Sequence, residues 1–135
     1  MTLKPPSGTP PPASATLAAR GVAIDLVPLA TEICRRYRAE FPDEAERYGD
    51  AGVEWCVHDN QHILSWAIGA ENGYVDLRRE LSWLARVLDA RDFPLERLAR
   101  NLEIAAEVAH EPVPEIVTGL REGADRVRAE AGLAG

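Results

Sequence analysis

The sequence predicts an all-α protein, an antiparallel bundle of four main helices with one or two short helices. Three observations support this class. Apolar residues recur every three or four positions in successive segments, which is the spacing of one helix face. No stretch alternates apolar and polar residues long enough to indicate a strand. The connections between the segments are short, so consecutive helices should pack antiparallel.

The composition indicates one globular domain. A chain of 135 residues can build one core but is short for two, and an apolar content of 46% excludes a disordered chain. The net charge of −7 argues against nucleic acid as the main partner. No apolar run approaches a membrane-spanning length, and the N-terminus has no signal-like apolar core. We therefore expect a cytoplasmic protein without a membrane partner. The richness in Ala, Arg, Glu and Leu is what a G+C-rich bacterial genome would produce.

The N-terminal residues 1–15 differ from the rest of the chain. Five of them are proline, a density that permits neither a helix nor a packed strand. This composition predicts a disordered, Pro-rich tail. The single all-α domain is expected over residues 16–135, and Thr16 to Arg20 could form a frayed helical turn at its start.

The first main helix is predicted to begin after Asp25. Asp is a good N-cap, and Pro28 falls in the first turn, where its missing N–H costs nothing. The apolar positions from Leu26 onward share one face over about 15 residues, and Pro42 ends the pattern. Residues 43–48 then read as a short acidic helical turn.

The central helix is predicted over Val53 to Ala70. Its apolar residues cover more than half of the helix circumference, which is typical of a helix with neighbours on two sides. Asp59 and Asn60 fall inside this apolar sector, and buried polar groups are costly unless they are hydrogen-bonded. One interpretation pairs Asp59 with an Arg and lets Asn60 tie down a loop or helix end. The other makes them the lining of a polar pocket in the core.

Three further helices complete the predicted bundle. They run from about Val75 to Arg91, from the Pro94 region to Ala109, and from Glu115 to Ala131. Ile104 and Val108 lie nearly opposite the main apolar face of their helix. A helix that is apolar on two sides either sits between neighbours or contacts another chain, and we expect these two residues to form an interface with another chain.

The two cysteines, Cys34 and Cys56, each fall on the apolar face of a predicted helix. Two cysteines do not make a disulfide framework, so buried free thiols are expected. Reduced thiols fit a cytosolic compartment.

The central helix also carries the candidate site residues. His58 and His62 are four positions apart and share one face, as two metal ligands can. The run His58 to His62 differs from the zinc-protease signature because Asp59 replaces the general-base Glu, and nothing marks His110 as a third ligand. We therefore expect no metal site. The histidines either pack as ordinary boundary residues or provide an axial ligand for a tetrapyrrole between tryptophans.

Part of the chain, about Gly52 to Val108, resembles helical modules of bacterial sensory and regulatory proteins, including those that accompany cobalamin-binding domains. The resemblance rests on the patterns Asp59-x-x-His62-x-Leu64, Trp83-Leu84-x-x-Val87-Leu88-x-x-Arg91-x-x-Pro94 and Leu98-x-x-Asn101-Leu102. In cobalamin photoreceptors such a bundle caps the corrinoid with Trp and His from one helix. The α/β cobalamin-binding domain is not part of these 135 residues, so the resemblance implies a corrinoid held with another polypeptide.

These observations predict a non-catalytic regulatory or protein-interaction module without a cofactor. It would bind a protein partner or form a homodimer through Ile104 and Val108. The alternative is a sensory module that binds haem or cobalamin through Trp55, His58, Asp59, His62 and Trp66. The least favoured hypothesis is an enzyme that uses Asp59 and His62, three positions apart, as an acid–base pair.

Overall fold

The chain is mainly helical in the computed structural model, which describes residues 10–132. Within that range it has five α-helices, one turn of 3-10 helix and one small two-stranded sheet. The predicted helical class is thus confirmed. Among these residues no helix is both long enough and apolar enough to cross a lipid bilayer.

The sheet is a β-hairpin that the sequence analysis missed. Strand β1 (Ser14–Leu17) pairs antiparallel with strand β2 (Val22–Asp25), and Gly21 turns the chain between them with a φ of +62°. The expectation of no strand and of a helical turn at Thr16 to Arg20 was wrong. Four-residue strands are too short to show a period of two, and the fully buried Leu17 anchors the hairpin to the core. Of the predicted tail, residues 1–9 lie outside the described part of the chain, and the last two residues, Ser14 and Ala15, belong to β1.

Helix α1 (Leu26–Glu40) follows β2 without a break, and its N-cap is Asp25, as predicted. Helix α2 (Glu44–Glu71) contains both the predicted acidic turn and the central helix. The two parts meet at Gly49, whose φ of +62° and ψ of −155° interrupt the helical backbone. Only glycine adopts such angles without steric cost, so the sequence permits the break at this position.

The remaining helices lie close to their predicted bounds. They are α3 (Leu77–Asp89), α4 (Leu95–Ala109) and α5 (Val117–Glu130), with the 3-10 turn Pro114–Ile116 before α5. The side chain of Asp76 caps α3 by accepting a hydrogen bond from the backbone N–H of Arg79 at 3.1 Å. Helices α1, α2 and α4 contribute many of the fully buried side chains, and the candidate site lies where these three helices meet α3.

Candidate functional site

A cavity of about 90 Å³ lies between α1, both parts of α2, α3 and α4. Much of its wall is aromatic or aliphatic, including Tyr48, Trp55, Ile63, Leu84 and Phe93. Two exposed wall residues, Ala45 and Gly49, place its solvent side at the break in α2. The polar wall residues are Arg38, Glu44, Asp59, Asn60 and Asn101.

Two of these polar residues satisfy each other. The side-chain amides of Asn60 and Asn101 form a reciprocal pair, with N···O distances of 3.1 and 2.9 Å, and Asn60 Nδ2 also donates to the carbonyl oxygen of Cys56 at 2.9 Å. This pair links α2 to α4 inside the core. Asn60 therefore ties α2 to the middle of α4 instead of to a loop or helix end, and it also lines the cavity.

The carboxylate of Glu44 is also satisfied. Its Oε1 accepts hydrogen bonds from the Tyr37 hydroxyl at 2.6 Å and from Arg97 Nη1 at 2.7 Å. Arg97 Nη2 donates to both carboxylate oxygens of Asp43 at 3.0 Å. Burial, followed by the hydrogen bond to Glu44, raises the pKa of Tyr37 well above its ordinary value. These contacts anchor the first turn of α2 to α1 and α4.

Asp59 differs from these groups because its Oδ1 is buried and has no hydrogen-bond partner. Burial raises the pKa of Asp59 from 3.8 to about 7, although the positive charge of Arg91 acts in the opposite direction. Near neutral pH the carboxyl group is therefore divided between its charged and neutral forms. Oδ1 of Asp59 therefore does not accept a hydrogen bond from an Arg, which one of the two interpretations of Asp59 had predicted.

The second unsatisfied atom among the wall residues is Nη1 of Arg38, which is buried and has no hydrogen-bond partner. Within residues 10–132, this nitrogen and Asp59 Oδ1 are the two buried side-chain polar atoms that lack a hydrogen bond. A native protein contains few such atoms. Here both belong to residues that line one cavity, which identifies this place as the candidate functional site.

Cys34 and Cys56 form a disulfide between α1 and α2, with their Cα atoms 5.9 Å apart. The expectation of two free thiols was wrong. The apolar faces that carry the two residues are the faces with which α1 and α2 meet, and this register is not visible in the sequence. The argument for a cytosolic compartment from free thiols is therefore lost, because disulfides persist mainly in oxidising compartments.

The five residues proposed as a cofactor site fall into two groups. Trp55 and Asp59 line the cavity, whereas His58, His62 and Trp66 stack along a neighbouring face of α2. The ring centroids of His58 and His62 are 5.1 Å apart, and those of His62 and Trp66 are 5.8 Å apart. The ring of Trp66 in turn packs edge to face with Trp83, with the centroids 6.4 Å apart. The residues do not converge on one pocket. Cavities for drug-sized ligands have about 300–1,000 Å³, so a tetrapyrrole needs a larger space than the one beside Asp59.

Among the described residues, no group of three or more His, Cys, Asp or Glu side chains is arranged so that it could hold a metal ion.

The predicted interface on α4 is corrected by the structure. Ile104 is only 1% exposed and lies in the core of the chain itself, while Val108 is half-buried and packs against that core. The second apolar patch exists because α4 has neighbours within the chain on both sides. The exposed large apolar side chains of residues 10–132 are Val22, Val27 and Tyr74, none of which lies on α4.

The sequence analysis singled out Asp59 but did not identify Arg38 as a candidate site residue. A signal was present, because Arg38 follows Cys34 by four positions and so shares its inward face. The roles of Glu44 and Arg97 had no comparable signal, since their contact joins residues 53 positions apart.

Comparison with known proteins gives no match among family models, curated proteins or solved structures. The functional argument therefore rests on the geometry of the cavity.

Proposed function

We propose that this chain is a non-catalytic regulatory module that binds a small molecule in the cavity beside Asp59. The observation that carries the proposal is a pair of buried, unpartnered atoms, Asp59 Oδ1 and Arg38 Nη1, that belong to two residues lining one cavity. An unsatisfied buried polar group costs free energy. Two such groups at one place are explained by an occupant that supplies their missing partners.

The wall also has the composition of a ligand site. Ligand pockets are mostly apolar and aromatic, with a few convergent polar groups that fix orientation. Tyr48, Trp55 and Phe93 provide the aromatic part here. A set of ordered waters is the competing occupant, because a volume of 90 Å³ holds about three water molecules.

The regulatory part of the proposal is supported by the break in α2. The cavity is lined by Ala45 and Tyr48, which precede Gly49, and by Trp55, which follows it. A ligand that contacts both segments favours one angle between them over others, which is a population shift that a partner can detect. A protein partner or a second copy of the chain would read this change.

The non-catalytic part is supported by the state of the wall residues that carry nucleophilic atoms. Cys56 is held in the disulfide, and the Tyr37 hydroxyl donates to Glu44. The histidines of α2 stack on a different face from Asp59, and Asp59–His62 is therefore not supported as an acid–base pair in this cavity.

The test is a series of ¹H–¹⁵N correlation spectra recorded during addition of acetamide, propionate, propylamine and glycine as probes. We expect at least one probe to shift the signals of cavity residues in a saturable manner. Ala45→Phe places a ring at the solvent side of the cavity and should abolish these shifts. Ala39→Phe, an equally exposed position on α1 away from the wall, should retain them.

Two results would contradict the proposal. One is the absence of saturable shifts at the cavity for every probe in the oxidised protein. The other is an equal response in Ala45→Phe and wild type, which would place any binding elsewhere on the surface.

A further inference from the structure

We infer that the occupant of this cavity is a compact zwitterion, a small unbranched amino acid whose ammonium group meets Asp59 and whose carboxylate meets Arg38. The inference rests on the proposed function and specifies its ligand. It follows from the two buried polar atoms that lack a hydrogen-bond partner, from the size of the space and from the nature of the wall.

Several polar groups of the cavity wall already have partners within the chain. Glu44 is paired with Arg97, and the two asparagine amides satisfy each other. The unpartnered atoms that remain belong to one acid, Asp59, and one base, Arg38. Since neither atom has a hydrogen-bond partner, the two are not bonded to each other. A ligand of one charge would oppose either the acid or the base, whereas a zwitterion complements both.

The space limits the ligand to a few atoms. A volume of about 90 Å³ equals roughly three water molecules, which corresponds to about four to six covalently linked non-hydrogen atoms. Glycine and β-alanine fall within this size. Branched or aromatic amino acids exceed it, so the unbranched members are favoured.

The wall favours an ammonium group at the Asp59 end. Trp55 is four residues before Asp59 on α2 and therefore shares its helix face, and both side chains line the cavity. Aromatic faces attract cations through their negative electrostatic potential. The carboxylate end is matched by the guanidinium group of Arg38, which has hydrogen-bond donors and no acceptor.

Binding of so small a molecule is expected to be weak. A ligand of few atoms makes few contacts and must still offset the entropy lost on binding, so we expect a Kd on the order of 10 µM to 1 mM. Nuclear magnetic resonance titration measures this range directly.

The experiment titrates the oxidised, full-length protein with glycine, β-alanine and 4-aminobutyrate, which place the two charges at three separations. Propylamine and propionate serve as analogues with one charge only. We expect one zwitterion to bind at least tenfold more tightly than both analogues. Asp59→Asn and Arg38→Met should each weaken it by about 10- to 100-fold, because each removes a charge-assisted hydrogen bond.

Matched controls separate these effects from general changes in charge. Asp50→Asn changes an exposed residue of α2, and Arg35→Met changes an exposed residue of α1, and neither residue lines the cavity. Both controls should bind the zwitterion as wild type does. Should Arg38→Met fail to fold, Asp59→Asn alone decides the question, because that variant is expected to be more stable than wild type at pH 8.

The outcomes distinguish the inference from the proposed function. If an analogue with one charge shifts the cavity signals as strongly as every zwitterion, the ligand class is refuted but the cavity remains a binding site. If zwitterion binding is unchanged in Asp59→Asn, the inference is also refuted. If no probe shifts the cavity signals, the space holds only water, and both statements fall.

Discussion

Replacing Asp59 with Asn should stabilise the protein at pH 8 and destabilise it at pH 4, where little charge is removed and the cost of the unsatisfied amide remains. The reason is the pKa of Asp59, which burial raises from 3.8 to about 7. Below pH 3.8 the carboxyl group is protonated in both the folded and the unfolded state. Between pH 4 and 7 the folded state retains a proton that the unfolded state releases, so the free energy of unfolding falls as the pH rises. Above pH 7 the loss is complete and constant.

The magnitude follows from the size of the shift. A difference of about three pKa units corresponds to about 4 kcal/mol, since each unit is worth 1.36 kcal/mol. Asparagine has nearly the same shape and no charge, but its amide also lacks a partner at the buried position of Oδ1. That unsatisfied amide returns about 1–3 kcal/mol of the gain. We therefore expect Asp59→Asn to be about 1–3 kcal/mol more stable than wild type at pH 8.

The assay is urea unfolding followed by circular dichroism at several pH values between 4.5 and 8.5, with the disulfide intact. The difference in the free energy of unfolding between Asp59→Asn and wild type should grow steadily from pH 4.5 to 7.5 and then level off. Asp50→Asn, an exposed change on the same helix, should differ from wild type by less than about 0.5 kcal/mol. A constant difference between Asp59→Asn and wild type over this range would refute the reasoning, because a raised pKa requires the difference to change.

Two other predictions concern the contacts around the cavity. Replacing both Cys34 and Cys56 with Ser should lower the free energy of unfolding by about 3 kcal/mol, because the disulfide spans 22 positions and restricts the unfolded chain. Urea unfolding with and without a reductant measures this loss. Equal unfolding midpoints in the two conditions would contradict the prediction. Arg97→Met should cost about 2–3 kcal/mol because it leaves the buried carboxylate of Glu44 without its cation. Arg100→Met, which removes a more exposed ion-paired Arg, should cost about 1 kcal/mol or less in the same thermal or urea measurements, and equal losses in the two variants would refute the distinction.

The helices could be predicted from the sequence because their signals are local. Apolar spacing, Asp25 before α1 and Pro42 after it fix the elements with little help from the rest of the chain. The hairpin could not be predicted, because a strand of four residues has no resolvable period and depends on burial of Leu17 by distant helices.

The candidate site could be predicted in part. Asp59 was conspicuous because a carboxylate in an apolar sector contradicts the pattern around it, and one of its two interpretations was a polar pocket. Arg38 was not recognised, since a long basic side chain at the edge of a helix face normally reaches solvent. The disulfide and the position of Ile104 depend on which helix faces meet, and that register is set by packing of the whole chain.

The cavity persists because specific links hold its walls apart. A space in a core normally shrinks as neighbouring side chains relax into it, since the lining atoms lack contacts. Here the disulfide fixes α1 against α2, the amides of Asn60 and Asn101 fix α2 against α4, and Arg97 fixes the first turn of α2 against α4. All these links lie at or beside the cavity, and none provides a hydrogen bond to the buried Oδ1 of Asp59. A chain selected for stability alone would fill this space or remove that carboxylate, so retaining both favours a ligand-binding role.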